Sequence, residues 1–121
     1  MSEQYLVMIV EGEWDAATVT PEQHAAAQQQ HGAFAAAVAA AGAKILGGEA
    51  LESREHGFSV TPATDGSPAV FTNGALTETT EALSGYYLLE ADSLAQAKEL
   101  AALCPTSGHI EVRKIWDMSG M

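Results

Sequence analysis

Two segments of this chain, residues 5–10 and 86–91, carry apolar side chains on both faces of a predicted β-strand. The first is an unbroken apolar run, YLVMIV, and the second reads YYLLEA. A strand with one wet face normally alternates apolar and polar side chains, and neither segment does. The sheet that contains them must therefore be covered on both sides.

Helix and strand signals alternate along the rest of the chain. A helix is predicted after Thr20, because Thr20, Pro21 and Gln23 form a capping-box start, and Gly42 is a typical helix stop. A second helix is predicted after Ser93. The predicted helices cover residues 21–41 and 94–103, and the predicted strands cover residues 5–10, 44–51, 58–61, 69–72, 86–91 and 110–116.

The order of these elements predicts an α+β fold. The segments at 58–61 and 69–72 flank an Asp65-Gly66 turn, which is typical of a β-hairpin. Without that hairpin the order is the split β-α-β pattern of a ferredoxin-like domain. We therefore predict a single domain over residues 1–121, with a ferredoxin-like protomer and an inserted β-hairpin.

Two helices can cover only one face of such a sheet. An uncovered apolar second face would be larger than a soluble monomer usually exposes. A second copy of the chain is the simplest cover, and sheet-to-sheet packing across a two-fold axis gives a dimeric α+β barrel with a cavity near the interface. We therefore predict a homodimer.

Charge narrows the choice of partners and compartment. The chain has 16 acidic and 5 basic residues, a formal charge of −11, so phosphate backbones and anionic membrane surfaces are poor partners. Cys104 is the only cysteine, which excludes an internal disulfide and suits a reducing compartment. The N-terminal apolar run is too short for a signal-peptide core. These features predict a cytoplasmic protein that contacts neither nucleic acid nor membrane.

Several segments, in order, resemble the YCII-related proteins of the subgroup named for an Asp-Gly-Pro-Phe motif. They are QQQHGAF at 28–34, GGEAL at 47–51, AVFTNG at 69–74, LTETTEALSGYYLLEADSLAQAKELAALCP at 76–105 and GHIEVRKIW at 108–116. The resemblance implies a dimeric α+β barrel built on a ferredoxin-like protomer. It also implies a site with a His-Asp pair, since such a pair has been proposed for the broader group, which includes enzymes acting on small aromatic compounds.

The signature motif itself differs in this chain. Asp-Gly-Pro-Phe is replaced by Asn73-Gly74-Ala75-Leu76. Asn73 can form a turn and bind a ligand through hydrogen bonds, but it cannot act as a general base. The replacement counts against any mechanism that needs the aspartate.

His31 is the leading candidate for chemistry. It lies in an apolar stripe of the first predicted helix, formed by Ala27, His31, Phe34, Val38 and Ala41. It also matches the helix histidine of the resembled family. One interpretation is a buried, hydrogen-bonded core histidine. The other is an acid/base group, because histidine titrates near neutral pH.

Two carboxylates are candidate catalytic partners of His31. Glu78 lies with Glu81 in a predicted loop after Asn73, where the alternative is a solvated or helix-capping carboxylate. Glu90 ends the second two-faced strand on the same face as Tyr86. Glu90 could orient His31 from the dimer cavity or form an ion pair with Arg113.

Asn73, Tyr86 and Arg113 are candidate substrate-binding residues. Arg113 could bind an anion or pair with a neighbouring glutamate across strands. The four histidines, at 24, 31, 56 and 109, lack the spacing of a zinc-binding helix, and no nucleotide-binding glycine motif is present. We predict neither a metal site nor a cofactor.

These observations support more than one function. The first is cofactor-free acid/base chemistry, a proton transfer or elimination, on a small organic compound, with His31 as the acid/base group and Glu90 or Glu78 assisting. The alternative is a non-catalytic module that binds or senses a small molecule in the same cavity. A third is an assembly partner whose acidic surface meets a basic protein.

Overall fold

A computed structural model of the protein describes residues 2–12, 14, 16–74 and 81–120. Two short 3-10 helices, Ala16–Thr18 and Arg54–His56, lie in connections. The remaining described elements are, in chain order, β1 (Glu3–Gly12), α1 (Pro21–Ala40), β2 (Lys44–Ala50), β3 (Phe58–Thr61), β4 (Val70–Asn73), β5 (Glu81–Ala91), α2 (Leu94–Ala101) and β6 (His109–Lys114).

The main sheet has four strands in the order β2-β5-β1-β6, and every neighbouring pair is antiparallel. The two long strands β5 and β1 are the two-faced segments, and they occupy the centre of the sheet. In each half of the chain a helix joins two parallel strands, and a strand of the other half lies between them. The strands β1 and β2 flank β5, and the strands β5 and β6 flank β1. This is the ferredoxin-like arrangement, so the predicted α+β fold is confirmed.

The helices and one face of the sheet enclose the core. On this covered face the central strands contribute Tyr5, Val7, Ile9 and Leu89, all less than 7% exposed. Helix α1 adds Phe34 and Val38, and helix α2 adds Ala97 and Leu100. The opposite face, here called the open face, is only half-buried along β1 and β5 in the single chain.

Helix α1 begins as the sequence predicts. Thr20 Oγ1 accepts a hydrogen bond from the backbone N–H of Gln23, and the Gln23 side chain accepts one from the N–H of Thr20. Of the predicted stripe, Phe34 and Val38 are buried and His31 is half-buried, whereas Ala27 and Ala41 are exposed. Among the described residues no helix is long and apolar enough to span a membrane.

Strands β3 and β4 form the predicted hairpin, which is a separate two-stranded sheet. Asp65 and Gly66 form its turn, and Gly66 has a φ of +83°, a conformation that favours glycine. One expectation was wrong: Glu81 is the first residue of β5 rather than part of a loop, because the β5 pairing with β1 extends to Glu81 and Gly12.

Candidate active site

His31 and Tyr87 form a close polar contact between helix α1 and the sheet. The Nδ1 atom of His31 lies 2.6 Å from the Tyr87 hydroxyl, and the two ring centroids are 5.8 Å apart. His31 is one turn before the buried Phe34 on α1, which turns its ring toward the sheet. The contact therefore joins the helix layer to β5 on the covered face.

The Tyr87 ring is held by its neighbours on both sides. Phe34 packs against it with a centroid distance of 5.0 Å. Gly48 lies opposite Tyr87 on β2, where a Cβ atom would come within 2.8 Å of the tyrosine ring and 2.6 Å of the Tyr86 carbonyl oxygen. A glycine at position 48 is thus required for this ring position.

Glu11 supplies a carboxylate to the same region. Its Oε1 atom accepts a hydrogen bond from the Ser84 hydroxyl, and its Oε2 atom accepts two from Ser107, at 2.9 Å from the backbone N–H and 2.8 Å from the hydroxyl. The carboxylate therefore connects β1, β5 and the loop before β6. Glu11 is also close enough to His31 for the two groups to interact electrostatically.

These contacts set the protonation of the carboxylate. Partial burial of Glu11 raises its pKa, but the hydrogen bonds from Ser84 and Ser107 and the charge of His31 together outweigh burial, so the pKa lies below its ordinary value. Glu11 is consequently ionised at neutral pH.

Tyr87 and Cys104 remain protonated in this setting. Burial, and to a lesser extent the nearby Cys104, raise the pKa of the Tyr87 phenol. Burial, followed by the charge of Glu11, raises the pKa of the Cys104 thiol to about 11. A protonated phenol can donate to the Nδ1 atom of a neutral His31 or accept from the N–H of an imidazolium. In both cases the Nε2 atom of His31 is the ring nitrogen not bound to Tyr87.

A cleft of about 510 Å³ adjoins the cluster. It shares Ser84 with the Glu11 network and extends to Trp14 and the 3-10 helix Arg54–His56. Apolar walls from Leu51 and Leu83 accompany these polar groups. The mixture of apolar walls and a few polar groups is typical of small-molecule sites.

Glu90, Tyr86 and Arg113 lie on the open face of the sheet. Tyr86 and Glu90 alternate with the covered-face Tyr87 along β5, and Arg113 pairs with Leu6 on the same open face. Within one protomer the sheet therefore separates these three predicted site residues from His31. Glu11 is a carboxylate of the same chain that interacts with His31 through charge, and the catalytic role predicted for Glu90 stays a prediction.

Two other predicted residues are not part of the cluster. Asn73 is the last residue of β4, where it is exposed and pairs with Phe58 on the hairpin. Glu78, Ala75 and Leu76 lie outside the described residues, so the catalytic role predicted for Glu78 stays a prediction.

The open face carries a charged group of its own. His109 lies between two carboxylates, with Nδ1 at 3.2 Å from Glu81 and Nε2 at 3.0 Å from Glu111. The hydrogen bond to Glu111 and the charge of Glu81 raise the pKa of His109. Within the described part of the chain, no group of three or more His, Cys, Asp or Glu side chains is placed to hold a metal ion.

Sequence reasoning identifies His31 but not its partners. Glu11 directly follows the apolar run of β1. A charged residue that continues a strand with two apolar faces is the one sequence feature that points to Glu11 as a site residue. Tyr87 has the sequence signature of a packing residue, and only the strand alternation assigns it to the helix side. Ser84 and Ser107 carry no sequence signal, because long-range pairing alone brings them to Glu11.

The chain is thus a ferredoxin-like α+β protein in which a histidine of the first helix contacts a tyrosine of the sheet and interacts with a nearby carboxylate through charge. The sequence model of the YCII-related domain matches residues 4–119, so the chain belongs to the YCII-related family. A search among curated proteins finds no match to it.

Proposed function

We propose that this YCII-related protein catalyses cofactor-free acid/base chemistry, a proton transfer or elimination, on a small organic compound. The observation that carries the proposal is the 2.6 Å contact between His31 Nδ1 and the Tyr87 hydroxyl, beside the ionised Glu11. The sequence predicted Glu90 or Glu78 as the assisting carboxylate. In this proposal Glu11 takes that role, and Glu78 lies outside the described residues.

His31 would exchange a proton with the substrate through Nε2. As an acid, His31 is the imidazolium, whose Nδ1–H group donates to the Tyr87 oxygen and whose Nε2–H group gives its proton to the substrate, which leaves a neutral ring. When the Nδ1–H group donates to the phenol oxygen, Nε2 is free to accept a proton as a base. The Tyr87 oxygen accepts from the Nδ1–H group in both the neutral and the charged form, so the same contact can hold the ring during proton transfer. We place the substrate at the end of the cleft where Ser84, which donates to Glu11, lines its wall.

Hydrogen exchange in D₂O tests this proposal across several classes of compound at once. A set of small ketones, keto acids and phenols would be incubated with the protein and followed by ¹H NMR. We expect faster deuterium incorporation at an acidic C–H position of at least one compound. His31→Gln should lower that rate about 100-fold or more, the usual contribution of a positioned acid/base group.

Glu90→Gln is the matched control, because it removes a carboxylate on the other face of the sheet and should leave the rate unchanged. An exchange rate that His31→Gln does not alter would refute the proposal. A compound that raises the melting temperature by binding but is neither exchanged nor converted would instead identify the non-catalytic binding module.

The proposal includes a second copy of the chain on the open face. Leu6, Met8, Val10, Tyr86 and Leu88 form an apolar strip there that the helices do not cover. Charged side chains such as Glu49, Glu111 and Arg113 flank the strip on the outer strands. An apolar centre with a polar rim is typical of an interface between copies.

A further inference from the structure

The hairpin of β3 and β4 has an apolar face that no other described part of the chain covers. Val60 and Phe71 are directly paired, and Phe58 lies on the same face two residues from Val60. The Phe58 and Phe71 rings are 6.0 Å apart, yet these side chains are 63% and 68% exposed. The other face is more polar, with Ser59, Thr61 and Thr72 beside Val70.

Such a hairpin is poorly stable by itself. A two-stranded sheet is marginal in water, and one with exposed aromatic and β-branched side chains is prone to aggregate unless it is covered. The hairpin is closed at its base by the Gly74 N–H, which donates to the Gly57 carbonyl at 3.0 Å. We call residues 57–74 the arm. Its composition and isolation indicate that its apolar face packs against another surface.

The distribution of charge along the chain indicates which molecule the arm packs against. The arm contains a single charged residue, Asp65, in a chain where 17% of residues are charged and the net charge is −11. Two copies of this chain repel one another through most of their surface, and the arm is a place where they can meet with little repulsion. A basic partner attracted by charge would instead bind the acidic surface outside the arm.

We propose that the arm packs through Phe58, Val60 and Phe71 on a second copy of this chain and is part of its dimer interface. The inference rests on the proposed homodimer and adds the segment that forms the contact. Closed homodimers are the commonest assemblies, and interface centres are poor in charge and rich in aromatic side chains. His56 and Gly57 line the cleft beside the site at the root of the arm, so docking of the arm would also fix one wall of that cleft.

Sedimentation equilibrium from about 0.1 to 100 µM tests the proposal. The wild-type protein should approach twice 12.6 kDa. The double variant Phe58→Ser, Phe71→Ser should weaken association about 100-fold or more, as expected for two central aromatic contacts. The matched control is Thr61→Ala with Thr72→Ala on the opposite face, which should change the dissociation constant by less than threefold.

Two further measurements separate the possible failures. Far-UV circular dichroism and urea unfolding of dilute protein should show an intact fold in both double variants, because the arm is separate from the main sheet. Leu88→Gln on the open face should also weaken the dimer. If Leu88→Gln weakens the dimer and the phenylalanine double variant does not, the proposed role of the arm is overturned but the dimer itself is not. A wild-type monomer at 100 µM would overturn the dimer as well, and neither result depends on the activity of His31.

Discussion

The two faces of the main sheet are built from the same central strands, β1 and β5, but they differ in where their polar side chains lie. On the covered face, apolar side chains fill the core, His31 contacts Tyr87, and Glu11 interacts with His31 through charge. On the open face, the polar groups lie at the edges and the centre is an apolar strip. A strand that is apolar on both faces therefore does not have two equivalent cores. One face is filled by its own chain, and the other is the face on which we propose that a second copy packs.

The largest expected difference between the faces concerns two consecutive leucines of β5. Leu89 is fully buried on the covered face, so Leu89→Ala should lower the free energy of unfolding by about 2–5 kcal/mol. Leu88 is half-buried on the open face, and Leu88→Ala should cost only about 1 kcal/mol in dilute protein. Urea unfolding of both variants measures the difference. Equal losses would show that the open face is covered within the single chain.

The next difference concerns carboxylates. Glu11→Gln removes charge-assisted hydrogen bonds from Ser84 and Ser107 and should lower the free energy of unfolding by about 1–3 kcal/mol near pH 7. Glu90→Gln on the open face should change it by less than about 0.5 kcal/mol. If both glutamates had the same small effect, Glu11 would be an ordinary surface carboxylate.

The Glu11 contribution should also depend on pH in a known direction. Its pKa is lower in the folded protein than in the unfolded chain, where a glutamate titrates near about 4.3. The stabilisation is therefore complete above that value and is lost as the pH falls through the lower folded pKa. Urea unfolding between pH 2.5 and 7 should show the wild type and Glu11→Gln converging in acid, whereas a constant difference would contradict this explanation.

His109, on the open face, should make a smaller contribution to stability, with the opposite dependence on pH. Its pKa is raised above the ordinary value of about 6.5 by Glu111 and Glu81. Its contribution is therefore complete below that value and is lost as the pH rises through the folded pKa. A ¹H NMR titration of the ring should give a midpoint above 6.5, and Glu111→Gln should lower it. A midpoint at or below 6.5 would disprove the bridge between the carboxylates.

The fold followed from local patterns that tertiary contacts did not override. The Thr20 capping box, the Asp65-Gly66 turn and the unbroken run of β1 each dictated an element in the right place. The start of β5 was missed because Glu81 and Ala82 lack a strand pattern and are held by pairing with β1. Such pairing depends on residues some seventy positions away, which local sequence does not show.

The site was predictable only in part for the same reason. The position of His31 followed from helix periodicity, whereas Glu90 was assigned to it on the assumption that both faced one cavity. Strand alternation places the Glu90 side chain on the face of the sheet that is turned away from Tyr87 and His31. Glu11 came to the histidine through sheet register and through the loop containing Ser107, neither of which has a sequence signature.

The most direct test of the central claim, that the site lies on the covered face around His31 and Tyr87, is the ¹⁵N NMR spectrum of the histidine side chains. The Nδ1 resonance of His31 should shift clearly in Tyr87→Phe, because that variant removes only the hydroxyl 2.6 Å from the nitrogen. It should stay in place in Tyr86→Phe and in Glu90→Gln on the open face. If the His31 Nδ1 resonance does not shift in Tyr87→Phe, or if it shifts equally in Glu90→Gln, the account is contradicted.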